Sequence, residues 1–265
     1  NIATAQQSIV VVDTTAPLIT APSDITIEAS SVDANSADLG QPTVDDLVEV
    51  ASISSDAPSV FPIGMTTITW SATDSSGNTA NDTQTVTVVD TTEPEITVPE
   101  DITLEATGAN GETVSIGQAT ATDLIGIDSI TNDAPELFPI GETVVTWMAT
   151  DLHGNSASAT QLITIQDTTA PTLIAPEDII VEAENPSSNT VDIGLAQADD
   201  LVGVLYVENN APASYPVGET IVTWTAGDAA GNTIQATQTI TVTDTIAPSI
   251  VAPADIVSEA TSLDE

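Results

Sequence analysis

From Thr66 onward the chain alternates. Ile68, Trp70 and Ala72 fall on one side, and Thr67, Thr69, Ser71 and Thr73 on the other. That period of two marks a strand with one buried face. Asp74-Ser-Ser-Gly77-Asn78 then carries turn chemistry: an aspartate that accepts from the turn backbone and a glycine that tolerates positive φ. The alternation resumes with Val86 and Val88 facing one way and Thr85 and Thr87 the other. It stops at Asp90-Thr-Thr-Glu-Pro94, because proline cannot donate to a sheet ladder. The same hairpin and linker recur at Val144–Pro171 and Ile221–Pro248, and Asn1–Pro17 repeats only the tail.

The recurrence has a fixed period. Trp70, Trp147 and Trp224 stand 77 residues apart, as do Asp13, Asp90, Asp167 and Asp244, and Gly77, Gly154 and Gly231. A unit of this length is too long for a helical solenoid and suits a small β-sandwich. The expected fold is therefore all-β: tandem immunoglobulin-like β-sandwich modules in a linear rod. The expected divisions are repeats at 13–89, 90–166 and 167–243. Residues 1–12 would be the last strand of a preceding repeat and 244–265 the start of a following one, a window on a longer array.

Within the first repeat, Leu18–Pro22 reads as a proline-bounded edge strand and Asp24–Ala29 continues it, with Ile25 and Ile27 inward. Ser30–Ser36 differs most among the copies and reads as an exposed tip. Ala37–Val44 is the next strand, Asp45-Asp46-Leu47 a turn, and Val48–Ser54 the return. Phe61-Pro-Ile-Gly64 leads into the hairpin, giving six or seven strands. The inward phase of the three tryptophans makes them core residues rather than a sugar-stacking platform. Phe61, Phe138 and Tyr215 read as core plugs.

Four motifs recur together: Ala-Pro-x-Asp-Ile-x-x-Glu-Ala, Asn-Asp-Ala-Pro-x-x-Phe-Pro-x-Gly, Thr-x-Trp-x-Ala-x-Asp-x-x-Gly-Asn and a closing Val-x-Asp-Thr-x-x-Pro. Jointly they resemble the hyalin repeat (HYR) family across the three complete repeats and both partial ones. The resemblance implies an immunoglobulin-like module and an extracellular or cell-surface location. It also implies structural or adhesive work, with no catalytic residues to carry over.

Charge changes the picture most. The chain holds 40 Asp and Glu and no Lys or Arg, a net charge of −40. Neutralisation must come from solvent cations or bound metal ions. Nucleic acid and anionic membrane surfaces are excluded as partners on electrostatic grounds. Cysteine is absent, so no disulfide braces these small cores.

That deficit directs attention to the aspartates. In an immunoglobulin-like sandwich the entry linker, one inter-strand loop and the last hairpin turn share an end. This would gather Asp13, Asp45, Asp46 and Asp74 in the first repeat, Asp90, Asp123 and Asp151 in the second, and Asp167, Asp199, Asp200 and Asp228 in the third. Hard oxygens from separate loops are what calcium takes. Glu28, Glu105 and Glu182 lie near the next linker and could complete each site across the junction. The plainer alternative is that these aspartates only cap turns and open linkers.

His153 is the one histidine, and its copies are Ser76 and Ala230, so it reads as a permissive turn position. A hydrolase centre would need nucleophile and base together, and no repeat supplies them. Asn81-Asp-Thr83 is a glycosylation sequon without counterpart in the other copies and reads as chance. The sequence thus points to a calcium-stiffened stalk or filament. Its expected partners are neighbouring repeats, divalent cations and, in a filament, further copies of the chain. The alternatives are an adhesin recognising glycan or protein through module surfaces, and a non-catalytic spacer in a larger secreted protein.

Overall fold

The computed structural model describes residues 2–259, and its elements are strands throughout. The first repeat has β1 (Leu18–Thr20), β2 (Ile25–Glu28), β3 (Thr43–Asp45), β4 (Val50–Ser55), β5 (Gly64–Asp74) and β6 (Thr79–Val89). The second has β7 (Glu95–Thr97), β8 (Ile102–Glu105), β9 (Thr120–Thr122), β10 (Ile127–Asn132), β11 (Gly141–Asp151) and β12 (Ser156–Gln166). The third has β13 (Thr172–Ile174), β14 (Ile179–Glu182), β15 (Gln197–Asp199), β16 (Val204–Asn209), β17 (Gly218–Asp228) and β18 (Thr233–Thr243). Each repeat is a four-stranded sheet facing a two-stranded one, an immunoglobulin-like sandwich. In the first repeat the orders are β2-β6-β5-β4 and β1-β3.

The segment expected as one continuous edge strand is divided between the two sheets. β1 pairs antiparallel with β3, whereas β2 pairs parallel with β6. Pro22 lies between them and cannot extend either ladder. A second expectation also changes. Of Ala37–Val44 only Thr43 and Val44 are extended in pairing, because Gly40 at φ +71° and Pro42 interrupt the run. Asp45 consequently ends β3 rather than opening the turn. Ser30–Ser36 is not wholly a solvent tip. Asn35 is fully buried, bridges to Phe61, and takes the Ser30 and Ser31 amides on its Oδ1 at 2.7 and 2.9 Å.

Residues 2–12 form no strand, and Ile9, Val10, Val11 and Val12 stand exposed. Among the described residues no strand pairs with them. The described part of 244–265 is likewise unpaired.

The long hairpins carry the cores. Ile68, Trp70 and Ala72 from β5 meet Val86 and Val88 from β6, with Phe61 closing one end. Burying each tryptophan contributes roughly 2–3 kcal/mol. The inward phase of β6 also contains a polar residue, Gln84, which is fully buried. Its Oε1 accepts from Trp70 Nε1 at 3.1 Å, and its Nε2 donates to the carbonyls of Ser23 (2.8 Å) and Leu39 (3.1 Å). Gln161 and Gln238 make the same bonds to Trp147 and Trp224. The amide thereby ties the indole to both segments that lead into β2 and β3.

Packing falls into two compact units, and the middle repeat contributes to both. Within the unit containing the first repeat, Ile125 joins that repeat's buried cluster. Ile125 comes from the second repeat's Asp123 loop, so that loop packs one repeat against the next.

Candidate metal centre

The hairpin turn after β5 builds one wall of the site. Asp74 Oδ1 accepts from the Ser76 and Asn78 amides at 2.8 and 2.9 Å, while Asn78 Nδ2 donates to Asp74 Oδ2 at 2.8 Å. Gly77 completes the turn at φ +92°. Burial raises the Asp74 carboxyl pKa, but the Asn78 side chain and the turn amides outweigh it and hold the group below its ordinary value. The same balance holds at Asp151 and Asp228. Asn78 Nδ2 also reaches the Thr15 carbonyl at 3.1 Å, which draws the entry linker onto the turn. Asn155 and Asn232 do the same to the Asp90 and Asp167 carbonyls.

That attachment brings the linker aspartate to the turn. One oxygen each of Asp13, Asp46 and Asp74 lies within 4.8 Å of the others, and Asp90, Asp123 and Asp151 meet in the same way. Asp13 Oδ2 and Asp46 Oδ2 are buried without any hydrogen-bond partner, as is Asp167 Oδ2 in the third repeat. A buried carboxylate oxygen with nothing to neutralise it is costly. Such oxygens converging from three loops suit a hard divalent cation of the calcium kind, with backbone carbonyls and water to fill its shell. The residues present fit the ion.

The structure also separates residues that the sequence grouped. Asp45 and Asp199 are exposed at the ends of β3 and β15, outside the trios, because pairing with Leu18 and Thr172 turns them away. Asp167, Asp200 and Asp228 are not among the sets whose oxygens meet within 4.8 Å; Asp200 Oδ1 takes the Val202 and Gly203 amides, as Asp123 Oδ1 takes the Ile125 amide.

Glu28, Glu105 and Glu182 do lie beside the next linker, but they are occupied there. Glu28 accepts from Thr91 N at 2.7 Å, Thr91 Oγ1 at 2.9 Å and Thr92 Oγ1 at 3.1 Å. Glu105 holds Thr168 and Thr169, and Glu182 holds Thr245, in the same manner. The threonine amide, then the hydroxyls, hold each glutamate below its usual range. These glutamates clasp the linker; they are not among the carboxylates that converge. The Asp90 and Asp167 linkers are thus each gripped by a glutamate of the repeat before and by an asparagine of the repeat after.

Sequence reasoning missed the asparagine clasp and the buried glutamine, although both recur at the 77-residue period. A glutamine on the inward phase of a valine strand was the available signal. It also treated His153 as incidental. His153 Nδ1 lies 3.5 Å from Asp90 Oδ2, whose side chain is only 2% exposed.

Together these features define tandem β-sandwich modules with acidic, clasped linkers. The chain belongs to the HYR domain family, whose profile matches residues 12–88, 89–165 and 166–242. It is 35% identical to hyalin of Lytechinus variegatus, covering 94% of this chain and 51% of that protein. It is 33% identical to hyalin of Strongylocentrotus purpuratus, covering 94% of this chain and 22% of that protein. The chain thus spans about half or less of the relatives it matches. Solved structures that align with it include the Sidekick-1 immunoglobulin domains 1–5 (12% identity, 87% of this chain, 59% of that one, TM-score 0.34). Mouse cadherin-23 EC22-24 also aligns (15% identity, 86% of this chain, 99% of that one, TM-score 0.32). With such low scores, the family assignment rests on the sequence matches.

Proposed function

We propose that this chain is a structural segment of an extracellular repeat protein, a spacer whose linkers are stiffened by calcium. The supporting observation is the meeting of Asp13, Asp46 and Asp74, with buried, unpartnered oxygens on Asp13 and Asp46. An ion there would join the entry linker to two loops of its module, while the glutamate and asparagine clasps limit what the linker does when the ion leaves. Invariant repeat length then gives the same step from module to module, which suits a stalk or filament. Electron microscopy of the native protein tests this reading. Straight particles in calcium should become bent and variable in a chelator, and identical particles in both would overturn it.

A second reading, adhesion through a module face, is favoured by one observation. Tyr206 on β16 is 38% exposed and opposes Gly227, where the first two repeats pair Ser52 with Thr73 and Ser129 with Thr150. A Cβ on Gly227 would sit 2.5 Å from the Tyr206 ring, so ring and glycine form one unit. Adhesion of the chain to its native surface that survives Tyr206→Ser counts against this face.

A further inference from the structure

The outer sheet face of the third repeat differs from its copies in chemistry. Trp224 and Ala226 of β17 point into the core, so Thr225 and Gly227 face outward, with Glu208 and Tyr206 of β16 opposite them. The Tyr206 ring packs on the Gly227 backbone, in the space a Cβ would need. Beside it lies a groove of about 330 Å³ lined by Glu208, Asn209, Asn210, Thr223, Thr225 and Gln235. In every repeat one side chain after the edge strand accepts a β-strand amide: Asp56 from Thr69 and Asp133 from Thr146 at 2.6 Å, Asn210 from Thr223 at 2.7 Å. Only the third repeat uses an amide there. Asn210 Oδ1 is committed to the backbone, so Nδ2 is left to donate and a charge is absent. Asn209 Oδ1 is likewise held by the Ala211 amide at 3.0 Å, which leaves its Nδ2 as a donor. Gln235 Nε2 gives to Thr225 Oγ1 at 3.3 Å, which leaves Oε1 as an acceptor.

We propose that this face binds a neutral, β-linked oligosaccharide of the glucose kind, one sugar stacked on Tyr206 and the next in the groove. The inference rests on the reading of this face as adhesive, and it names the ligand. A pyranose with equatorial hydroxyls has apolar C–H faces and a polar rim. The weakly negative face of the phenol ring attracts such C–H groups. Each hydroxyl both donates and accepts, so the Asn209 and Asn210 donors and the Glu208 and Gln235 acceptors suit neighbouring hydroxyls. The groove is of small-ligand size, at the lower end of roughly 300–1,000 Å³. Glu208 and the net charge of −40 disfavour acidic sugars. A protein partner would call for an apolar, charge-depleted centre, whereas here one ring stands among amides, hydroxyls and a carboxylate.

The test titrates the whole chain with cellohexaose, laminarihexaose and hexa-N-acetylchitohexaose by calorimetry, with oligogalacturonate as the acidic control. At least one neutral sugar should bind at one site per chain, and the acidic one should not. Tyr206→Ser, which installs the residue of the other repeats, should weaken binding by roughly tenfold. Asn210→Asp keeps the acceptor for Thr223 and should leave the melt unchanged, yet weaken binding by about threefold or more. Failure of all three neutral sugars to bind overturns the proposal, as does binding that both variants leave intact. Native-surface adhesion that Tyr206→Ser abolishes, in a chain that binds no sugar, keeps the adhesive face and retires the glycan. Sugar binding through Tyr206 with adhesion unaffected by Tyr206→Ser keeps the glycan site and retires the adhesion reading.

Discussion

Each repeat buries polar groups in two places, and the two are finished to different degrees. In the core, Gln84 satisfies the Trp70 indole and two backbone carbonyls, and nothing in that knot is left unpaired. At the linker end, Asp13 and Asp46 carry buried oxygens with no partner. The Gln84 knot is thus satisfied by groups of the chain itself. The linker end leaves these oxygens unmatched within the chain, and the calcium proposal rests on that difference.

The largest effect should come from the complete region. Trp70→Ala should destabilise the first repeat by roughly 3–5 kcal/mol through cavity formation. The third repeat should melt as before, because coupling in repeat arrays is between neighbours. The loss should be the same in calcium and in a chelator. An unchanged melt would mean that Trp70 does not carry the core.

Gln84→Ala removes the indole's acceptor and strands two carbonyls, at about 2–3 kcal/mol. Urea denaturation with and without calcium reads it. Strong calcium dependence of that loss would join the two regions that are here held separate.

The third repeat contains the exception to a finished core. Tyr215 stands where the others have phenylalanine, and its hydroxyl is buried without a partner. Burial pushes that phenol's pKa up, the direction expected where the charged form has no support. Tyr215→Phe should therefore stabilise the third repeat by about 1 kcal/mol. Destabilisation by thermal melting would indicate that the hydroxyl has a partner.

The smallest effect concerns the clasp. Glu28 is held below its ordinary value by Thr91 and Thr92, so its contribution is fully present above the unfolded glutamate value of about 4.3. It is lost as pH falls through the lower folded value. Protection of the Thr91 amide from hydrogen exchange should fall on acidification below that range and be weak at all pH in Glu28→Gln. Protection that persists in the glutamine variant would mean that the carboxylate charge is not what holds the linker.

The fold was legible because it depends on local rules repeated at one period: alternation in β5 and β6, turn chemistry at Asp74–Asn78, proline at each linker. What was not legible depends on partners distant in the chain. Pro22 signals an interruption, but not that β2 would run parallel to β6. Asp45 and Asp46 are adjacent acids, and only the pairing of β3 with β1 shows that Asp46 turns inward while Asp45 faces solvent. Glu28 was placed correctly beside the linker. Its role changed because threonine donors, themselves plain in the sequence, saturate it. His153 was passed over because position in a turn does not reveal the neighbouring Asp90.

The central claim is that a divalent cation completes the linker end. Calorimetric titration of the metal-free chain with calcium, in sodium chloride of matched ionic strength, tests it most directly. The account predicts saturable uptake at the two gathered trios, lost at the first in Asp13→Asn and at the second in Asp90→Asn. It also predicts a rise in melting temperature with calcium, since binding only the folded state stabilises by mass action. No uptake at millimolar calcium would contradict it, and the aspartates would then be turn caps and nothing more.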